Sequence, residues 1–228
     1  MKILGFIPAR GGSKGIPKKN LVLLKGKPLI YYTLKSVKKL SKLVYPFVSS
    51  DNKAIIKYCN SQNVKSNYLR PKKYSGNKSN IIDAVNHALK WLQKYKNLNF
   101  DSVLLLQPTS PKRNFVEFKR AINYYKRNKL ESLTGVTKVR EHPNDCLKLK
   151  KNKKWSYLTK KNKKIFQRQQ YNNNFYFIDG SLYIASIKFL RKNKSFVKEN
   201  YTCIFKLKDQ FSIDIDTKMD LKVLNAIF

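Results

Sequence analysis

Short apolar runs rich in β-formers alternate along the chain with longer stretches of helical periodicity. Residues 2–8 predict a buried strand. Leu29, Ile30, Leu34 and Val37 recur at helical spacing and predict a helix over 28–40. Residues 43–49 predict a second strand, and Asp51 is placed to cap a helix running to Tyr58. Residues 64–69 predict a third strand, and Ser79 or Asn80 caps a helix that ends near Tyr95. Residues 102–106 are nearly all apolar, as in a central parallel strand, and Asn114 caps the helix after them. Further strands are expected at 180–184 and 202–207. Residues 212–216 lead into a last helix carrying Met219, Leu221, Val223 and Leu224. Alternation of this kind predicts an α/β class with a mostly parallel sheet flanked by helices on both faces.

From about Arg140 to Asn174 the periodicity breaks and the chain turns polar and basic. A plain loop of that length is uncommon in a compact domain. We read 140–178 as an inserted dimerisation arm within a single domain spanning 1–228. The 228 residues suit one α/β domain with a modest insertion. No apolar run approaches the roughly 20 residues a membrane helix needs. The opening MKILGFIPARGG reads as a first strand and not as a signal peptide.

Charge changes the picture next. The 49 Lys+Arg against 13 Asp+Glu leave a net charge of +36, which raises nucleic-acid binding as a function. The lysines are spread over the whole chain, however, and far outnumber the arginines that bidentate phosphate and base contacts favour. The excess therefore reads as compositional drift, with some value in attracting an anionic substrate. Cys59, Cys146 and Cys203 are widely separated and lack metal-site spacing, a usage that fits a reducing cytoplasm.

Two segments concentrate the chemistry. Residues 7–20 read IPARGGSKGIPKKN and follow the first strand directly. Gly11, Gly12 and Gly15 let the backbone approach a ligand closely, while Arg10, Lys14 and Lys19 supply cations suited to a triphosphate. The spacing matches neither the Walker loop nor GxGxxG. Near the other end, Asp214 and Asp216 alternate with apolar residues, so a strand would turn both to one face. Such a pair suits Mg2+, which takes one or two carboxylates plus substrate phosphates. Asp216 could instead cap the last helix, and Asp220 reads as a capping or surface acid. Gln107, Pro108, Thr109 and Ser110 follow the apolar strand, forming a rigid polar loop able to hold a sugar and its nucleophile. His87 and His142 lack a base-like constellation and read as structural.

The string IPARGGSKGIPKKN resembles the N-terminal signature of the acylneuraminate cytidylyltransferases, the CMP-sialic acid synthetases and their legionaminate and pseudaminate relatives. Four further segments stand in that family's order: Ser49-Ser-Asp-Asn52, Arg70-Pro71, Leu106-Gln-Pro-Thr-Ser-Pro111 and Asp179-Gly-Ser-Leu-Tyr-Ile184. The resemblance implies a Rossmann-like nucleotide-diphospho-sugar transferase fold, Mg2+ held by Asp214 and Asp216, and a homodimer. It implies transfer of CMP from CTP to a nonulosonic sugar acid, with the anomeric hydroxyl attacking the α-phosphorus in line. Ala9, Arg10, Gly11, Gly12, Ser13, Lys14, Lys19, Asn20 and Arg70 would bind the nucleotide, Arg70 at the cytosine ring. Gln107, Thr109, Ser110, Arg168, Gln169 and Asp179 would bind the sugar. Arg10, Lys14, Lys19 and Asp216 would carry catalysis, and no general base stands out.

Departures from the family pattern fall mainly where the sugar is read. Asp179 stands where Asn is common, Tyr171, Asn172 and Asn173 replace a stretch containing Pro, and Lys112 replaces Leu. They leave the particular nonulosonate open. Residues 72–76, KKYSG, also leave the rest of the base pocket open. The alternatives are an enzyme for another sugar such as 3-deoxy-manno-octulosonate, a nucleic-acid-binding protein, and an inactive homologue used for assembly. The Gly-Gly-Ser-Lys loop and Arg168-Gln169 argue against the first, and the intact acid pair argues against the last.

Overall fold

The structure, a computed structural model, describes residues 1–13, 15–159, 171, 174–208 and 213–228. In β1 (Ile3–Pro8), Ile3 and Ile7 enter one core and Leu4 and Phe6 the other, and all four are buried. A strand covered on both faces requires this run of apolar residues. β2 (Leu23–Leu24) and β3 (Lys27–Pro28) form an antiparallel ribbon leading into α1 (Leu29–Lys39). Then come β4 (Tyr45–Ser49), α2 (Lys53–Ser61), α3 (Ile81–Lys96), β5 (Ser102–Leu105), α4 (Phe115–Arg127) and β6 (Ser132–Lys138). A hairpin of β7 (Leu147–Leu149) and β8 (Trp155–Tyr157) follows. The chain closes with β9 (Tyr176–Ser186), α5 (Ile187–Asn193), β10 (Cys203–Lys206) and α6 (Lys218–Ile227).

The main sheet has the order β10-β6-β9-β5-β1-β4. β1 is parallel to β4 and β5, and β10 is parallel to β6. β9 runs antiparallel to both β5 and β6, so it is the one reversed strand of the six. One face is covered by α1, α2 and α4 through Leu34, Val37, Ile55, Phe118 and Ile122. The other is covered by α3 and α5 through Val85, Leu89, Leu92 and Leu190. A third, smaller cluster joins the two ends of the chain: Ile16, Leu24, Leu29, Ile215 and Leu224. Ile215 is fully buried there. Burial of such a side chain stabilises by about 2 kcal/mol, and Ile215 N–H also donates to the Thr109 carbonyl at 2.9 Å.

The structure corrects several sequence expectations. Residues 64–69 form no strand but touch the sheet through a single parallel bridge, Ser50 to Leu69. Arg70 N–H bonds Ser50 O at 2.7 Å, and Pro71, lacking an N–H, cannot extend a ladder. The cap of α2 is Asn52, whose side chain accepts from Ala54 N and Ile55 N at 2.8 and 3.3 Å. Asp51 is thereby free to serve the loop after β1. β6 was not foreseen, because Ser132, Thr134 and Thr137 interrupt its apolar run. Two of these buried hydroxyls are satisfied by the carbonyls of Phe196 and Leu182. Residues 213–216 are not a ladder strand, and α6 is capped by Thr217 and not by Asp216, with Asp220 completing a capping box. Within 140–178 the described residues include the hairpin and the first residues of β9, whereas 160–170 and 172–173 lie outside them. Among the described residues no helix is long and apolar enough to cross a membrane.

Candidate active site

A cavity of ≈ 560 Å³ opens beyond the carboxyl ends of β1 and β5, where ligands bind in open sheets of this type. Its wall takes Arg10, Ser13, Gly15, Lys19 and Asn20 from the first loop. The loop after β5 adds Gln107, Pro108 and Thr109, and the late segment adds Asp214 and Asp216. Arg70 and the stretch from Tyr74 to Asn77 face them. The amino-terminal glycine loop and the two late aspartates therefore share one site.

The loop's path is set by its backbone partners. Ala9 N–H donates to Ser49 O at 2.9 Å, and Gly11 N–H donates to Asp51 Oδ1 at 2.8 Å. Asn20, itself buried, donates from Nδ2 to Arg10 O at 2.8 Å. At Gly15 a Cβ would lie 2.2 Å from the Asp216 carbonyl oxygen, so only glycine permits the approach. At Gly12 a Cβ would meet nothing within 4 Å. Lys19 Nζ donates to Ile215 O at 2.7 Å and to Asp216 Oδ1 at 2.8 Å. Arg10 Nη1 reaches across the cavity to Gly76 O at 3.2 Å. Ala9, Gly11 and Gly12 shape the loop without lining the cavity. Lys14 lies outside the described residues.

Behind the cavity wall the acids form a charged cluster. Asp214 accepts a short hydrogen bond from the Ser110 hydroxyl. Gly180 takes a positive φ of 79° at an irregularity in the β6–β9 pairing, and a Cβ there would lie 2.4 Å from Asp214 Oδ2. This bulge turns Asp179 toward the cluster. Asp179 is buried, its Oδ1 accepts from Ser181 N and Oγ, and its Oδ2 has no partner among the described residues. Asp214 is pushed above the usual carboxylate range first by burial and then by the Asp179 and Asp216 charges, against the Ser110 bond and Arg113. Burial pushes the Arg113 guanidinium down to about 10, although Asp214 and Asp179 favour its charge. Asp179 and Ser110, expected at the sugar, thus stand behind Asp214 and do not line the cavity. Arg168 and Gln169 lie outside the described residues.

On the facing wall Arg70 is buried, and burial lowers its pKa against the pull of Asp51. Its Nε and Nη2 have no partner among the described residues. Buried donors ordinarily have a partner, so these two are open to an acceptor from water or a bound molecule. Tyr74 packs on the His87 ring at 5.1 Å, and His87 Nδ1 shares a hydrogen bond with Tyr68 Oη at 2.8 Å. His87 therefore supports the wall, in keeping with a structural role. Sequence reasoning left the pocket after Arg70 open at 72–76, where the structure brings Tyr74–Asn77 and Ser79 to the cavity, and it gave Arg113 no role. The small and hydroxyl residues after Arg70, and an arginine closing the Pro-Thr-Ser-Pro turn in a lysine-rich chain, were the available signals.

Known proteins resemble this chain over nearly its whole length. A family model described as cytidylyltransferase matches residues 4–227. The chain is 34% identical over 225 residues to the CMP-N,N'-diacetyllegionaminic acid synthase of Legionella pneumophila, covering 96% of this chain and 93% of that protein. It is 29% identical over 228 residues to the pseudaminic acid cytidylyltransferase of Campylobacter jejuni, covering 100% and 97%. The N-acylneuraminate cytidylyltransferase of Streptococcus agalactiae is 28% identical over 232 residues, which cover 100% of this chain and 54% of that longer protein. Among solved structures, CMP:2-keto-3-deoxy-manno-octonic acid synthetase complexed with CTP superposes with a TM-score of 0.70 at 13% identity, covering 100% and 98%. The 4-diphosphocytidyl-2C-methyl-D-erythritol synthase of Anaerococcus prevotii superposes at 0.62 with 16% identity, covering 99% and 97%. At these identities the two structures speak to fold alone.

Proposed function

Because the chain belongs to the cytidylyltransferase family, we propose that it transfers CMP from CTP to the anomeric hydroxyl of a nonulosonic, sialic-acid-like sugar acid and releases pyrophosphate. The observation that carries this reading is the single cavity lined at once by Arg10, Lys19, Arg70, Gln107, Asp214 and Asp216. Cations for a triphosphate, donors for a base and oxygen donors for a metal converge there.

Arg70 presents unpartnered N–H groups suited to the carbonyl acceptor of cytosine. Arg10 and Lys19, with Lys14 by its place in the loop, balance charge on the departing pyrophosphate. Gln107 and Thr109 orient the sugar acid, and Arg168 and Gln169 would add a bidentate contact to its carboxylate. Catalysis by such a site is mainly positioning and charge stabilisation. The donor set fits Mg2+: Asp214 and Asp216 are hard oxygen ligands on the cavity wall, and the Asp179 charge beside Asp214 favours a cation. Asp214 and Asp216 would hold it, and when bound it neutralises phosphate oxygens. The exposed Leu147, Leu149 and Trp155 of the β7–β8 hairpin support a homodimer formed through the 140–178 span.

A crossed panel tests the reading: CTP, UTP, GTP and ATP against neuraminate, legionaminate, pseudaminate and 3-deoxy-manno-octulosonate, with products identified by mass spectrometry. The expected outcome is a CMP-sugar from CTP and a nonulosonate. Turnover of the octulosonate alone would reject the substrate class in favour of the main rival.

A further inference from the structure

Arg113 does not line the cavity, yet it joins the parts that do. Its Nη2 donates to the carbonyl oxygen of Gln107, closing the loop after β5 on itself. Its Nη1 donates at 3.0 Å to the hydroxyl of Thr33, a fully buried residue of α1. The same loop holds the acids: Thr109 O accepts from Ile215 N at 2.9 Å, and the Ser110 hydroxyl bonds Asp214. One guanidinium thus ties together a helix, the cavity-lining Gln107 and, through three residues of loop, the 213–216 segment. Its planar fork makes two directed bonds at once, which a lysine ammonium at the same place could not reproduce.

We infer that Arg113 is a positioning residue, one that fixes the 107–113 loop against α1 and so sets Gln107 in register with Asp214 and Asp216. The inference rests on the proposed function for the role of Gln107, but its geometry stands apart from that reading. Pro108 and Pro111 stiffen the turn itself.

The test combines kinetics with crystal structures of wild type, Arg113→Met and Arg113→Lys. Arg113→Met keeps the bulk and removes every donor. In that variant KM for the sugar acid should rise about tenfold or more and kcat fall, since a misplacement of about 1 Å can cost on the order of 100-fold. KM for CTP should stay at the wild-type value, and Arg113→Lys should recover part of the loss. A merely structural arginine would lower the amount of folded enzyme and leave both KM values unchanged, which would overturn the inference. If Arg113→Met fails to fold, Thr33→Val removes only the anchor on α1, and an unchanged KM for the sugar acid would then be the contrary result. Should wild type turn over no sugar acid, the proposed function fails, and the crystal structures decide alone. Gln107 displaced in either Arg113 variant supports the positioning role, and an unmoved loop refutes it.

Discussion

Lys19 and Asp216 are 197 residues apart in sequence, and the Lys19 ammonium lies 2.8 Å from the Asp216 carboxylate. The same ammonium holds the Ile215 carbonyl, so one lysine fastens the acid-bearing segment to the glycine loop. Ile16 and Ile215 pack in one cluster beneath this contact. Hydrophobic burial thus brings the chain ends together, and charge sets their register.

Asp216→Asn should abolish turnover while the protein stays folded. The Asp216 side chain is 75% exposed, and exposed ion pairs contribute only about 0–1 kcal/mol to stability. Circular dichroism and a thermal melt alongside steady-state kinetics check both halves.

Gly15 and Gly12 separate close packing from mere loop composition. Gly15→Ala would place a methyl 2.2 Å from the Asp216 carbonyl and force the segments apart. Its turnover should fall on the order of 100-fold. Gly12→Ala meets open space and should keep its KM for CTP and its melting temperature. Side-by-side kinetics of the two variants test this directly.

Asp214 should cost the metal-free protein stability. Its folded-state pKa is raised by burial and by neighbouring acids above the ordinary 3.8. The folded state then binds more protons than the unfolded one, so this contribution falls as pH rises above 3.8 and stays unfavourable beyond the folded pKa. In chelator, Asp214→Asn should melt above wild type at neutral pH, with the gap closing as pH drops toward the ordinary value. Each kcal/mol gained corresponds to about 2–4 °C for a chain of this size. The same variant should be inactive.

Arg70→Met should weaken CTP binding without touching the sugar site. Hydrogen bonds from charged donors contribute about 1.5–3 kcal/mol, or roughly 10–100-fold in affinity. Isothermal titration with CTP measures the loss, and an unchanged Kd would remove Arg70 from the nucleotide site.

Much of this architecture was legible from local pattern. Helical spacing locates α1, and Asn80 and Asn114 mark the starts of α3 and α4 because an amide side chain before a helix serves its free N–H groups. The glycine loop and the acid pair declared themselves by composition. What stayed hidden depends on distant partners. β6 looks too polar until the carbonyls that satisfy Ser132 and Thr134 are known. The reversal of β9 is defined by the strands it pairs with, which no periodicity reports. Asn52 caps α2 in place of Asp51, which accepts instead from Gly11 N–H across 40 residues of chain. Arg113 stands out locally only as an arginine closing a turn, and its partner Thr33 lies 80 residues away.

The most direct test of the central claim is pyrophosphate release by purified wild type and Asp216→Asn, each supplied with CTP, Mg2+ and legionaminate, pseudaminate or neuraminate. The account predicts release by wild type with at least one of the three, matched by formation of the CMP-sugar, and none by the variant. Silence of the wild-type protein with all three, or full activity in a folded Asp216→Asn, would contradict it.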